Sequence, residues 1–106
     1  MGIIENFYRE VVEITCRVCE VDPEMLFSCN KECFVDARSL IILNLSSKGF
    51  TDARIADLTG LTRQAVNRIR NTFPYRYNRS YMLIAYQQQI SNELAIKQQH
   101  TSNILF

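Results

Sequence analysis

Arg63, Gln64, Asn67 and Arg68 lie within six residues of one another at helical spacing, just after a glycine and a threonine. Their chemistry is that of base and phosphate recognition. An arginine fork matches O6 and N7 of guanine, and glutamine or asparagine amides match N6 and N7 of adenine. Thr62, Arg63, Gln64 and Asn67 are the predicted base readers. Lys48, Thr51, Arg54, Arg68, Arg70 and Asn71 are the predicted phosphate contacts, because cations and helix-start hydroxyls fix register on a duplex without reading its sequence.

Other chemistries are weaker in this sequence. Cys16-x-x-Cys19 and Cys29-x-x-x-Cys33 supply four thiols, enough on paper for a tetrahedral zinc site. The first pair falls inside a helical stretch, with Cys16 opposite the apolar stripe, so free reduced thiols and no metal are expected. His100 is the only histidine and sits in a polar tail, and the carboxylates fall on solvated helix faces. No His-based triad or paired acid and base can be built from them, so no enzyme activity and no cofactor are expected.

The elements that must position the basic residues are helical. Ile4, Phe7, Val11, Ile14, Val18 and Val21 recur at three- and four-residue steps, predicting a helix over about Ile4 to Val21. Asp22-Pro23 starts a short turn with Met25, Leu26 and Phe27. From about Glu32 to Lys48 a helix carries Phe34, Ala37, Leu40, Ile41, Ile42, Leu43 and Leu45; it is apolar nearly all round and should be central. Gly49 is the expected left-handed stop. Thr51 or Asp52 caps a helix to Thr59, Gly60 turns the chain, and Thr62 caps a second helix over about Arg63 to Thr72, expected to stop before Pro74. The last helix, about Arg79 to Gln99, carries Met82, Leu83, Tyr86, Ile90 and Leu94 on one face, read either as core or as a homodimer seam. Ile104-Leu-Phe106 is expected to dock or fray.

Within Asp52 to Asn71 the spacing meets the demands of a helix-turn-helix. Ala56 is small where a second helix would cross, Gly60 turns sharply four residues later, and Ile55, Leu58, Leu61, Val66 and Ile69 fill the wedge. Thr59 stands where an aliphatic is more usual. Ala65, Val66 and Ile69 should point inward, and Arg63, Gln64, Asn67, Arg68 and Asn71 outward. A helical hairpin with a merely solvated basic face shares the glycine turn but not the whole pattern. Tyr75-Arg-Tyr-Asn-Arg79 reads either as a DNA-touching segment or as a packed inter-helix loop with its arginine stems lying on apolar surface.

Composition agrees with one compact all-α domain over residues 1–106, its helix-turn-helix core at about 32–73 and its C-terminal helix at about 79–99. The chain is 47% hydrophobic and 22% charged, with only three glycines and two prolines. Net charge is +1, but it is unevenly spread. Residues 1–36 hold three basic against eight acidic side chains, a balance of −5, and residues 37–79 hold eight against two, a balance of +6. A polyanion partner for the middle segment follows. No apolar run reaches the roughly 20 residues that span a bilayer, and the N-terminus lacks a signal-peptide pattern. A cytoplasmic protein with no membrane partner is expected.

Val18 to Ile69 resembles the C-terminal DNA-binding domain of the bacterial replication initiator DnaA, of the Trp-repressor-like superfamily. Val18-Cys-Glu-Val-Asp-Pro-Glu-Met-Leu-Phe-Ser28, Val35-Asp-Ala-Arg-Ser-Leu-Ile-Ile-Leu-Asn-Leu45 and Phe50-Thr-Asp-Ala-Arg-Ile-Ala-Asp-Leu-Thr-Gly60 carry the likeness, over about half the chain. It implies a fold of about six helices and double-stranded DNA binding in transcription or replication control. The family's turn and recognition start read Gly-Arg-Asp-His-Thr-Thr-Val, against Gly60-Leu-Thr-Arg-Gln-Ala-Val66 here, and its basic loop is replaced by the nearly neutral Ser28-Cys-Asn-Lys-Glu-Cys33. The scaffold is implied; the initiator's own target is not. No Gly-x-x-x-x-Gly-Lys-Ser/Thr loop accompanies it. The alternative is a helical protein–protein adaptor on the same scaffold, to which the acidic first helix points.

Overall fold

A helix that is apolar on nearly every side must be surrounded, and α2 (Glu32–Ser47) is. In the computed structural model, which describes residues 2–105 and the side chains of residues 2–97, Ala37, Leu40, Ile41, Ile42 and Leu45 of α2 are wholly buried. Each such Leu or Ile contributes roughly 1.5–3 kcal/mol. Around α2 pack α1 (Ile3–Cys19), α3 (Asp52–Thr59) and α4 (Arg63–Tyr77), and α5 (Tyr81–Leu105) packs along α1 and reaches α2 at Asn44. A 3-10 turn at Pro23–Met25 is capped by the Asp22 carboxylate, which accepts from the Glu24 N–H at 3.0 Å. The described residues are otherwise loops, and the architecture is all-helical. The radius of gyration, 13.6 Å, is close to the roughly 13 Å of a compact chain this long.

Local signals end the helices. Glu20 turns left-handed (φ 57°) after α1, and the Val21 N–H donates to the Cys16 carbonyl at 3.0 Å, closing a Schellman motif that also buries Val21. Gly49 (φ 93°) does the same after α2, with the Phe50 N–H donating to Leu45 at 3.1 Å and Phe50 tilting onto Phe7, 5.9 Å between ring centres.

Five readings from the sequence are corrected or completed. Cys16 is 4% exposed, not on an open face: α1 packs against both α2 and α5, which leaves less of its circumference open than one apolar stripe suggests. Ile4, placed on the buried stripe of α1, is exposed near its start. On α5, Leu83, Ile90 and Leu94 are buried in this chain's own core, which resolves their stripe as core; Met82 is exposed. Asn44, which interrupts the apolar run of α2, is part of that packing: its amide and that of Gln87 exchange two hydrogen bonds of 2.8 Å. Finally, α4 does not stop before Pro74 but runs to Tyr77, so Tyr75-Arg-Tyr is helix. Proline deprives the Arg70 carbonyl of its helical donor, at a cost of about 3 kcal/mol. Tertiary anchors on either side hold the helix through it. Phe73 is buried, and Arg76 lies over the Phe73 ring at 5.4 Å while its guanidinium pairs with Asp36 of α2. Of the terminal Ile104-Leu-Phe106, the side chains lie outside the described residues.

Candidate nucleic-acid interface

The site is built on the joint between α3 and α4. Thr51, not Asp52, caps α3, its hydroxyl accepting from the Arg54 N–H at 3.1 Å. Gly60 turns left-handed (φ 79°) and donates its N–H to Ala56 at 2.9 Å. Thr59 serves the turn in a way an aliphatic cannot: its buried hydroxyl donates to the Ile55 carbonyl at 2.8 Å and accepts from the Leu61 N–H at 3.2 Å. Thr62 then caps α4, accepting from the Ala65 N–H at 3.0 Å. Val66 is fully buried and Ile69 half-buried, which fixes the rotation of α4. Ile55 and Ala56 anchor α3 in the same way.

That rotation leaves Arg63, Gln64, Asn67, Arg68 and Asn71 exposed. Arg63, Gln64 and Asn67 line one open groove of about 500 Å³ together with Asp52. The Asp52 carboxylate accepts from Nε and Nη2 of Arg70, both at 2.9 Å, and from Nδ2 of Asn67 at 3.1 Å. Asn67 Oδ1 in turn accepts from Nδ2 of Asn71 at 3.1 Å. Hydrogen bonds from Arg70, then from Asn67, hold the Asp52 carboxyl below the ordinary aspartate pKa. Asp52 is the residue that the sequence offered only as a capping alternative. No local spacing links it to Arg70, eighteen positions away; the available signal was that it is one of only two acids among the eight bases of residues 37–79.

Of the predicted phosphate contacts, Lys48, Thr51 and Arg54 line a second hollow of about 320 Å³ beside Phe50 and Ile4. Thr51 and Asp52 are chain neighbours, so the two hollows flank the start of α3. Arg68 and Asn71 line neither. Three of the middle segment's eight cations are held by the fold. Arg70 is paired with Asp52, Arg76 with Asp36, and Arg38 ties α2 to the preceding loop through the Leu26 carbonyl (3.1 Å) and that of Cys29. Arg54, Arg63 and Arg68 make no side-chain hydrogen bond or ion pair with any described residue.

No known protein family, curated protein or solved structure matches this chain.

The thiols form a separate region. All four cysteines are free, and among the described residues no three His, Cys, Asp or Glu side chains gather as a metal site. Burial pushes the Cys16 thiol up to about 11 and the Cys19 thiol up to about 12, so both are protonated and poorly nucleophilic at neutral pH. Among the described residues no helix is long and apolar enough to cross a membrane.

Proposed function

We propose that this chain binds double-stranded DNA through a helix-turn-helix formed by α3 and α4, in transcription or replication control. One observation carries the reading. The first turns of α4 are anchored from below by Val66, while Arg63, Gln64, Asn67 and Arg68 stand exposed on the other side, with Arg54 of α3 nearby in the chain. The DnaA-like pattern of Val18 to Ile69 supports the same reading. In it, Thr62, Arg63, Gln64 and Asn67 read bases, Lys48, Thr51, Arg54, Arg68 and Asn71 contact phosphates, and Arg70 acts from its pair with Asp52. Fluorescence anisotropy with mixed-sequence duplex at low salt tests it: Arg63→Ala and Arg68→Ala each weaken binding, and indifference to both refutes the proposal.

A second reading, the protein–protein adaptor, is favoured by one apolar groove of about 210 Å³ lined by Ile3, Ile4, Phe7, Lys48 and Phe50, with Ile3 87% exposed. A partner retained after nuclease treatment and lost in an Ile3→Asp variant would support it.

A further inference from the structure

The reading face carries an acid where a DNA-binding surface would be expected to carry none, and the hydrogen bonds around it say what it does. A carboxylate above its pKa can only accept, so the group that Asn67 turns toward Asp52 is its nitrogen. The oxygen of the same amide then faces Asn71, which donates to it. The Arg70 fork holds Asp52 in turn, with two hydrogen bonds of 2.9 Å. The chain Arg70–Asp52–Asn67–Asn71 thus fixes which end of the Asn67 amide is which.

An amide offers two N–H donors and two acceptor lone pairs. Asp52 engages one donor and Asn71 one acceptor, leaving one of each on an exposed side chain that lines the groove with Arg63 and Gln64. One donor and one acceptor on a single amide are what the N7 and N6 edge of adenine requires.

We infer that Asp52 is a positioning residue for base reading, orienting the Asn67 amide so that it accepts an adenine in the major groove. The inference rests on the DNA-binding reading above. Asp52 touches no base itself; it acts through Asn67. Replacing it with asparagine supplies a partner that can both donate and accept, so the Asn67 amide is free to take either orientation.

The test selects duplexes from a random library with the wild-type chain. Affinities are then measured for the selected duplex and for versions with each A·T pair changed to G·C, using wild type, Asn67→Ala, Asp52→Asn and Asp52→Ala. Wild type should lose about tenfold or more at the step read by Asn67, as expected for a good bidentate contact. Asn67→Ala and both Asp52 variants should flatten the preference at that same step while the preferences at other steps persist, which a general loss of stability would not produce. Asp52 variants that keep the full preference there, or an Asn67→Ala variant that keeps every preference, overturn the inference and leave DNA binding standing. Failure of the wild type to retain any duplex overturns both.

Discussion

Helix α4 meets a carboxylate twice, six residues apart, and the two encounters differ. Near its rear, Arg76 pairs with Asp36, whose side chain is only 7% exposed and sits inside the packing of α2. Nearer its front, Arg70 pairs with Asp52, in a setting where the two side chains are 39% and 21% exposed. Burial is the largest influence on Asp36 and raises its pKa against the opposing pull of Arg76. Hydrogen bonds dominate at Asp52 and lower it. The same pair of functional groups therefore anchors the helix at one end and orients exposed side chains at the other. The rear pair answers to stability, and the front pair, in the proposed reading, to what the surface binds.

The comparison breaks first at Arg76. Arg76→Ala leaves a buried carboxylate without its cation and removes an anchor that carries α4 past Pro74. Losing one partner of a fully buried pair costs 3–5 kcal/mol, and the half-exposed arginine lowers the expectation to about 2 kcal/mol by urea unfolding. The pH dependence has a definite sign. Because the folded state raises Asp36, it holds that proton more tightly than the unfolded chain; this contribution is complete below the ordinary aspartate pKa and is lost as pH rises through the folded value. The Arg76→Ala deficit is accordingly larger at pH 7 than at pH 4.

Two substitutions away from both pairs calibrate the scale. Gly60→Ala forces a left-handed φ of 79° on a residue with a Cβ, and nothing lies within 4 Å of that Cβ, so the whole cost is backbone strain, about 1 kcal/mol by thermal melting. Thr15 is fully buried on α1 with a hydroxyl that has no partner. Unlike Asp36 it is buried and uncompensated, so Thr15→Val should stabilise by about 1 kcal/mol.

The smallest effect on stability belongs to the front pair. Asp52→Asn should leave the melting temperature within experimental scatter at pH 7, because exposed ion pairs contribute little. Whatever contribution exists is present above the ordinary aspartate pKa and disappears as pH falls through the lowered folded value, opposite in sign to Asp36. A large loss in Asp52→Asn would erase the distinction between the two ends of α4.

Local chemistry was readable in advance. Thr51, Gly60 and Thr62 marked α3 and the start of α4 correctly because caps and left-handed turns are decided by a few neighbouring residues. The all-round apolarity of α2 announced its central place. What escaped depended on distant partners. Pro74 reads as a stop, and only Asp36, thirty-eight residues earlier, explains why α4 continues. Cys16 reads as exposed until α1 is seen packed against both α2 and α5. At the candidate site, the outward set of Arg63, Gln64, Asn67 and Arg68 followed from helical periodicity, but the engagement of Asn67 and Arg70 by Asp52 did not. Counting charge along the chain also overstated the cations on offer, since it cannot distinguish Arg54 and Arg68 from Arg38 and Arg76.

The proposed DNA-binding role is tested most directly by the salt dependence of duplex affinity in matched variants. With Lys48, Arg54 and Arg68 meeting phosphates, log K should fall against log salt with a slope of about −3. Arg68→Ala should make that slope shallower by about 1, whereas Arg76→Ala, compared at a temperature where it stays folded, should leave it unchanged. A slope near zero, or one that responds to Arg76 and not to Arg68, would contradict the assignment of binding to the front of α4.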